Sequence, residues 1–321
     1  MTPVQRIHGL TVRADVALPG IPSAHPSTPD VVLELVERLP APVPSRTRYR
    51  SGCADDVTTR VEIVDDARGR TAFRYGDGTA VDVDLRATPA LIRAAIAPGQ
   101  TLEDLTAYLY GPVLGFVLRA WGRLAMHASC VRIGDGAVLL AGPPGAGKST
   151  TAAALATRGL AVVSDDLTAL ALEDGDDAPR AWPAFDHLRL WPDGERVVLG
   201  DGARLERITP GWEKRRFPLE GSAFAGEPAP VRAVFTLRPR RGGRAVARPL
   251  TPSRALITLA TLTYANYLLD PPMRAQELMQ LGAVVRAVPV LALTPPVGRE
   301  NLDQLCDAIV RAAEAHTPAH A

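Results

Sequence analysis

The densest chemistry in this 321-residue chain lies in one run: Gly142, Pro143, Pro144, Gly145, Ala146, Gly147, Lys148 and Ser149. The run matches G-x-x-x-x-G-K-[ST] at each required position. Glycines at these places let backbone N–H groups turn inward around an anion. The helix that follows the loop adds its N-terminal amides and its dipole. A lysine there reaches the β- and γ-phosphates of a nucleotide, and the hydroxyl after it can ligate Mg2+. The flanks suit the motif, because 138–141 reads as a strand and 150–155 as a helix, so Thr150 joins the phosphate-contacting set. Binding of a nucleoside triphosphate with Mg2+ is the strongest implication, ATP first with GTP left open. A plain strand-to-helix turn is the alternative.

Asp165 and Asp166 follow at the end of a strand read over 160–164. Beside such a loop a strand-end aspartate holds Mg2+, directly or through water. Consecutive residues point differently at a strand end, so one carboxylate can face the metal and the other an attacking hydroxyl. A solvated acidic turn is the competing reading. His127 lies fifteen residues before Gly142, at the start of the preceding strand, where a lone histidine is more often structural.

Positions 203–248 hold eleven Arg or Lys residues against four glutamates, in a chain of net charge +1. The segment reads as a mobile basic arm, able to cover a triphosphate or hold an acidic peptide. Within it Lys214 and Arg216 are candidates for stabilising charge on the transferring group, with a solvated basic face as the equal alternative, whereas 238–244 (RPRRGGR) reads as a solvated surface loop. Lys148 and Lys214 are the only lysines among 36 basic residues, which points to a need for the compact ammonium or to chance retention.

These residues need a scaffold, and the pattern predicts an α/β chain in two domains, a β-rich one over 1–100 and a catalytic one over 101–321. In the first, runs at 31–36, 60–64, 71–75 and 81–85 read as strands, with loops at 19–29 and 40–44. In the second, Leu102, Leu105, Leu109, Val113 and Phe116 predict a helix running towards Trp121. Strands follow at 128–133 and 137–141, then a helix over 149–157. Residues 174–230 read as loop-rich around a short strand at 187–190. A strand at 231–237, helices at 253–268 and 274–286, a strand at 288–293 and a helix at 301–313 complete the reading.

Composition excludes several classes. Hydrophobic residues are 46% and charged residues 22%, too apolar for disorder. The balance of 36 basic against 35 acidic residues gives no electrostatic case for nucleic acid. Cys53, Cys130 and Cys306 are odd in number and contain no CxxC pair, as expected of a reduced chain without disulfides or zinc. No signal peptide is read, and the apolar stretch 255–269 is too short to span a membrane. A soluble cytoplasmic protein is the expectation.

His127-Ala-Ser at one strand start, then GPPGAGKST, then VVSDD at these separations resembles the HPr kinase/phosphorylase family over roughly 105–172. That resemblance implies a nucleotide-binding core related to the bacterial phosphoenolpyruvate carboxykinases, and ATP- and Mg2+-dependent phosphorylation of a serine hydroxyl on a protein. It implies Asp165 as the catalytic aspartate, Asp166 as its metal-associated neighbour and His127 as the active-site histidine. The family's hexamers make a homo-oligomer one expectation. Thr150 stands where that family has glutamate. The runs YLYGPVLGFVLRAWGRLAMHAS, HLRLWPDG, WEKRRFPL and VRAVPVLALTPP are similar to the HPr-kinase-like proteins of ribosomal (lasso) peptide pathways. Those proteins phosphorylate a Ser near the C-terminus of a precursor peptide. The acceptor expected here is therefore a Ser or Thr hydroxyl on a peptide or protein. A kinase for a small-molecule hydroxyl, and a nucleotide-gated binding module without transfer, are the competing readings.

Overall fold

Strand-forming residues dominate the first hundred positions. In the computed structural model, which describes residues 2–52, 60–172 and 178–316, they form one eight-stranded sheet. Its strands are β1 (Val4–Ile7), β2 (Leu10–Ala14), β3 (Val31–Leu35), β4 (Pro44–Ser51), β5 (Val61–Asp66), β6 (Thr71–Tyr75), β7 (Ala80–Asp84) and β8 (Ala90–Ala95). The order is β1-β2-β3-β8-β7-β6-β5-β4. β5 to β8 form an antiparallel meander, and β3 pairs in parallel with β2 and β8. Sequence reading missed β1, β2, β4 and β8. Proline and arginine at β4 mask its strand signal, and three alanines and an arginine weaken it in β8.

The amphipathic run after residue 101 forms α1 (Leu102–Tyr108), a π-helical turn (Leu109–Val113) and α2 (Leu114–Ala120). Thr101 and Asp104 make a reciprocal capping box at its start. Pro112 lacks an N–H and sits inside the π turn, which absorbs the missing bond. The Phe116 ring meets Phe73 edge-on at 5.8 Å, and Tyr108 stacks on Tyr75 at 3.7 Å. These contacts draw the helical run onto the first sheet. The first compact unit is accordingly Met1–Trp121 with Ala265–Arg274, where sequence reading divided the chain at residue 100.

The second unit is Gly122–Tyr264 with Ala275–Ala321. Its strands are β9 (Leu124–Met126), β10 (Ala128–Ile133), β11 (Gly136–Ala141), β12 (Val162–Ser164), β13 (Thr168–Ala171), β14 (Arg180–Ala181), β15 (His187–Leu190), β16 (Arg215–Pro218), β17 (Ala229–Leu237), β18 (Val246–Pro249) and β19 (Val290–Thr294). Its helices are α3 (Lys148–Ala156), α4 (Pro192–Leu199), α5 (Pro252–Ala260), α6 (Pro271–Ala287, in this unit from Ala275) and α7 (Leu302–Glu314). β17 is the hub of the main sheet, parallel to β11 on one side and to β19 on the other. β15 and β16 form a separate hairpin.

Both faces of β11 are buried. Val138 and Leu140 pack with Leu155 of α3 and Ile309 of α7, and Leu139 packs on the opposite side with Leu259 of α5 and Leu281 of α6. Such two-sided burial explains the unbroken apolar run before the glycine loop.

Three expectations change. Residues 192–199 form a helix rather than a loop, with Pro192 at its first position. The helix expected over 253–268 ends at Ala260. The arginine-rich stretch 203–248 is no single arm, because it supplies β16, the hub strand β17 and β18. Cys130 and Cys306 are buried free thiols, and Cys53 lies outside the described residues. No helix among the described residues is long and apolar enough to cross a membrane.

Phe235 of β17 is 0% exposed and fills the layer between the sheet and α3. Phe235→Ala should lower unfolding free energy by about 3–5 kcal/mol, measured by urea denaturation.

Candidate active site

Because β11 and β17 run parallel, the glycine loop after β11 and the turn after β17 emerge at the same sheet edge. This carboxyl edge is where α/β sheets present ligand sites. Gly145 (φ +78°) and Gly147 (φ +93°) hold left-handed conformations that a side chain would strain. A Cβ on Gly147 would also come within 3.2 Å of Arg240 Nη2, so the arginine reaches the loop from the neighbouring strand. Lys148 opens α3 and is buried. Its Nζ donates to the carbonyls of Gly142 (2.9 Å) and Pro143 (3.1 Å).

A cavity of about 500 Å3 opens beside this loop, lined by Pro144, Gly145, Gly147, Lys148, Ser149 and Thr150. Arg189, Leu190, Trp191, Asp193, Gly194 and Val197 form a second wall, and His127, Asp166, Lys214 and Arg240 complete it. The second wall comes close because α4 packs against α3. A Cβ on Gly194 would sit only 2.8 Å from Thr150 Oγ1.

The paired aspartates do different things. Asp165 is 1% exposed and accepts from Ser129 Oγ (2.6 Å), Ser149 Oγ (2.9 Å) and the Arg189 backbone N–H (3.2 Å). A carboxylate beside the loop hydroxyl is a hard-oxygen donor set of the kind Mg2+ takes, with phosphate oxygens filling the remaining positions. Asp166 instead lines the cavity. The Leu167 N–H bonds back to the Asp165 carbonyl (2.8 Å), and Asp166 at their centre takes φ +66°. This is an unusual backbone for a residue with a side chain, of the kind that clusters at functional sites. It turns the second carboxylate out while the first stays in. The sequence expectation has Asp165 towards the acceptor and Asp166 towards the metal; in the structure Asp165 is the carboxylate bonded to Ser149 and Asp166 the one that lines the cavity.

Tyr264 Oη donates to Asp166 Oδ2 (3.3 Å), and His127 Nε2 lies 3.6 Å from Oδ1. Backbone bonds from His127 N to the Leu262 carbonyl and from Tyr264 N to the Ala125 carbonyl, each 2.8 Å, place both side chains beside the end of β9. Burial pushes the Asp166 carboxyl up, but Lys214, Arg189, His127 and Lys148 together outweigh it and leave it below the usual carboxylate range. Burial, with Lys148 adding to it, pushes the His127 imidazole below its ordinary value despite both aspartates. The site at neutral pH therefore holds an ionised Asp166 beside a neutral His127. Burial also lowers Lys148, against the pull of the aspartates.

Of the residues singled out in the sequence, the structure brings His127, the loop through Thr150, Asp165, Asp166 and Lys214 together. Arg216 does not line the cavity; its Nη1 lies 3.4 Å from His187 Nδ1, on an imidazole that burial lowers to about 4. Two arginines take the place expected of it. Arg189, across the hairpin from Arg216, is buried over the Phe185 ring at 4.7 Å. Arg240 belongs to the stretch read as a solvated loop. Its only sequence signal is position just past the strand neighbouring β11. Tyr264 had no local signal.

No family model matches this chain, and no curated protein does. Among solved structures it is similar to the one described as the Hpr(Ser) kinase/phosphatase from Coxiella burnetii. That similarity is 15% in identity with a TM-score of 0.33, over 60% of this chain and 97% of that one. The functional reading therefore rests on the geometry above.

The electrostatics give a direct check. By NMR titration the His127 imidazole should titrate below 6.5. Asp166→Asn removes a charge that favours the imidazolium and should lower it further, whereas Lys148→Ala should raise it. A midpoint at or above 6.5 in the unaltered protein would contradict this arrangement.

Proposed function

We propose that this chain is an ATP- and Mg2+-dependent phosphotransferase acting on a Ser or Thr hydroxyl of a peptide or protein. The observation that carries the reading is a buried carboxylate, Asp165, bonded to the Ser149 hydroxyl of the loop, beside a second carboxylate, Asp166, that lines the same cavity as Ser149.

The amides of the 142–149 loop and the start of α3 would hold the phosphates. Lys148 exchanges its two loop carbonyls for the β- and γ-phosphate oxygens. Ser149 and Asp165 would hold Mg2+, which offsets phosphate charge and aligns the phosphate oxygens. Asp166 orients the acceptor hydroxyl, and its carboxylate takes the proton as the acceptor oxygen bonds to the γ-phosphorus. The bond from that phosphorus to the β–γ bridging oxygen breaks, and ADP leaves. A carboxylate of low pKa suffices for this, because phosphoryl transfer proceeds with little bonding to the nucleophile. Tyr264 and His127 hold Asp166 in place. Arg189, Lys214 and Arg240 surround the transferring group with fixed positive charge.

The resemblance to the HPr-kinase-like proteins of lasso pathways favours a flexible peptide acceptor. Purified protein with Mg-ATP, offered Ser-containing peptides, HPr and free serine or threonine, should phosphorylate a peptide by mass spectrometry. Transfer only to free serine or threonine would favour the small-molecule reading instead.

Asp166→Asn should slow transfer about 10²-fold with ATP affinity largely kept. Asp165→Asn should instead raise the Mg2+ concentration needed for half-maximal rate. Lys148→Ala should weaken ATP binding by calorimetry. Equal ATP affinity with and without Lys148 would defeat the nucleotide reading.

A further inference from the structure

Lys214 is a cation without a counter-ion: among the described residues no carboxylate lies within ion-pair distance of its ammonium. Its neighbour Glu213 is engaged elsewhere, with Arg207 at 2.7 Å and Arg215 at 3.8 Å. The Lys214 ammonium lies between two indoles, 5.6 Å from the Trp191 ring centre and 5.7 Å from that of Trp212.

Both rings are set by backbone. Trp191 caps α4 in an extended conformation (φ −68°, ψ 156°), with Pro192 fixing the next residue. Trp212 and Lys214 ride on a hairpin closed by Trp212 N–H to the Thr209 carbonyl (3.2 Å), Ile208 N–H to the Lys214 carbonyl (3.0 Å) and Arg216 N–H to the Glu206 carbonyl (2.8 Å). Trp191 remains 58% exposed although it lines the cavity, an unusual placement for so large an apolar group.

The chemistry of the pair is specific. A carboxylate would hold an ammonium more firmly but would cancel its charge. An indole face attracts a cation through its quadrupole and brings no opposing charge, so the ammonium stays available to an anion. Lysine suits the gap better than arginine, whose planar guanidinium stacks flat on a single ring.

We propose that Trp191 and Trp212 are positioning residues that hold Lys214 un-neutralised at the cavity rim and direct its charge onto the terminal phosphoryl group during transfer. This rests on the nucleotide reading above. Lys214 and Asp166 line the same cavity, so the ammonium lies on the side of the carboxylate assigned to the acceptor.

The test needs no acceptor. Calorimetry on the full chain compares Mg-ADP alone with Mg-ADP plus aluminium fluoride, which mimics the phosphoryl group in flight. Lys214→Met should weaken the aluminium fluoride complex about 10²-fold relative to Mg-ADP, the scale of losing one preorganised charge contact. Trp191→Leu with Trp212→Leu should approach that loss, Trp191→Phe with Trp212→Phe should recover most of it, and the leucine pair should add nothing to Lys214→Met. Lys214→Arg should remain defective. Indole emission should change when aluminium fluoride is added to the Mg-ADP complex, as an anion comes against the ammonium held on the rings, and should not change in Lys214→Met. Leucine variants with the affinity ratio of the unaltered protein would overturn this inference alone. Failure of the unaltered protein to bind Mg-ADP and Mg-ATP at all would overturn the nucleotide reading beneath it.

Discussion

A carboxylate removed from water is tolerated only when its oxygens find donors, and Asp165 takes its donors from three separate elements. Ser129 reaches it from β10, Ser149 from the first turn of α3, and the Arg189 N–H from β15. This knot ties the β15–β16 pair to the glycine loop. With β15 come Arg189, Trp191 and the start of α4, which together make the second wall of the cavity. The same knot accounts for the backbone at Asp166. With Asp165 anchored inward and the Leu167 N–H bonded back to it, the residue between them has a left-handed turn as its route out. Without the buried carboxylate, the cavity would lose a wall and the outward carboxylate its direction.

The cavity is charged before anything enters it. Lys148, Arg189, Lys214 and Arg240 face Asp166 and an Asp193 that is 88% exposed and so largely screened. Confining four cations in one space is unfavourable, and at Lys148 the charge of Lys214 adds to burial in lowering its affinity for a proton, against the pull of the aspartates. The two loop carbonyls that receive its ammonium relieve part of that strain. An anionic ligand relieves more, so occupancy stabilises the folded chain as well as filling the site.

The parts legible in the sequence are those whose chemistry is local. The glycine loop, the bounds of β6, β10 and β15, and a helix directly after the loop follow from residue types within a few positions of one another, although the helix opens at Lys148, one residue before the expected start. Asp165 and Asp166 were visible as a pair, but their order depends on one backbone angle at Asp166 that no composition encodes. Arg240 and Tyr264 were invisible for a different reason. Each reaches the site through pairing of distant segments, β11 with β17 in one case and Ala125 with Tyr264 in the other. Helix α4 was legible after all: proline at its first position and two acids in its first turn are a helix start, obscured by reading Trp191-Pro192-Asp193-Gly194 as a turn. The boundary at residue 100 marked a change of secondary structure, whereas the contact boundary follows the aromatic pairs of Phe73 with Phe116 and Tyr75 with Tyr108.

The placement of the two lysines has a consequence for covalent chemistry. The chain's other basic side chains are arginines, so its lysine amines are confined to a single cavity. Acylating or carbamylating reagents that spare guanidinium groups will find lysine side chains only at the mouth and floor of this site. One of the two is buried against loop carbonyls, and the other lies between indole faces that leave it partly open. Amine labelling thus becomes a two-position map of the cavity. Lysine acetylation, elsewhere a diffuse surface modification, would here fall inside this one cavity.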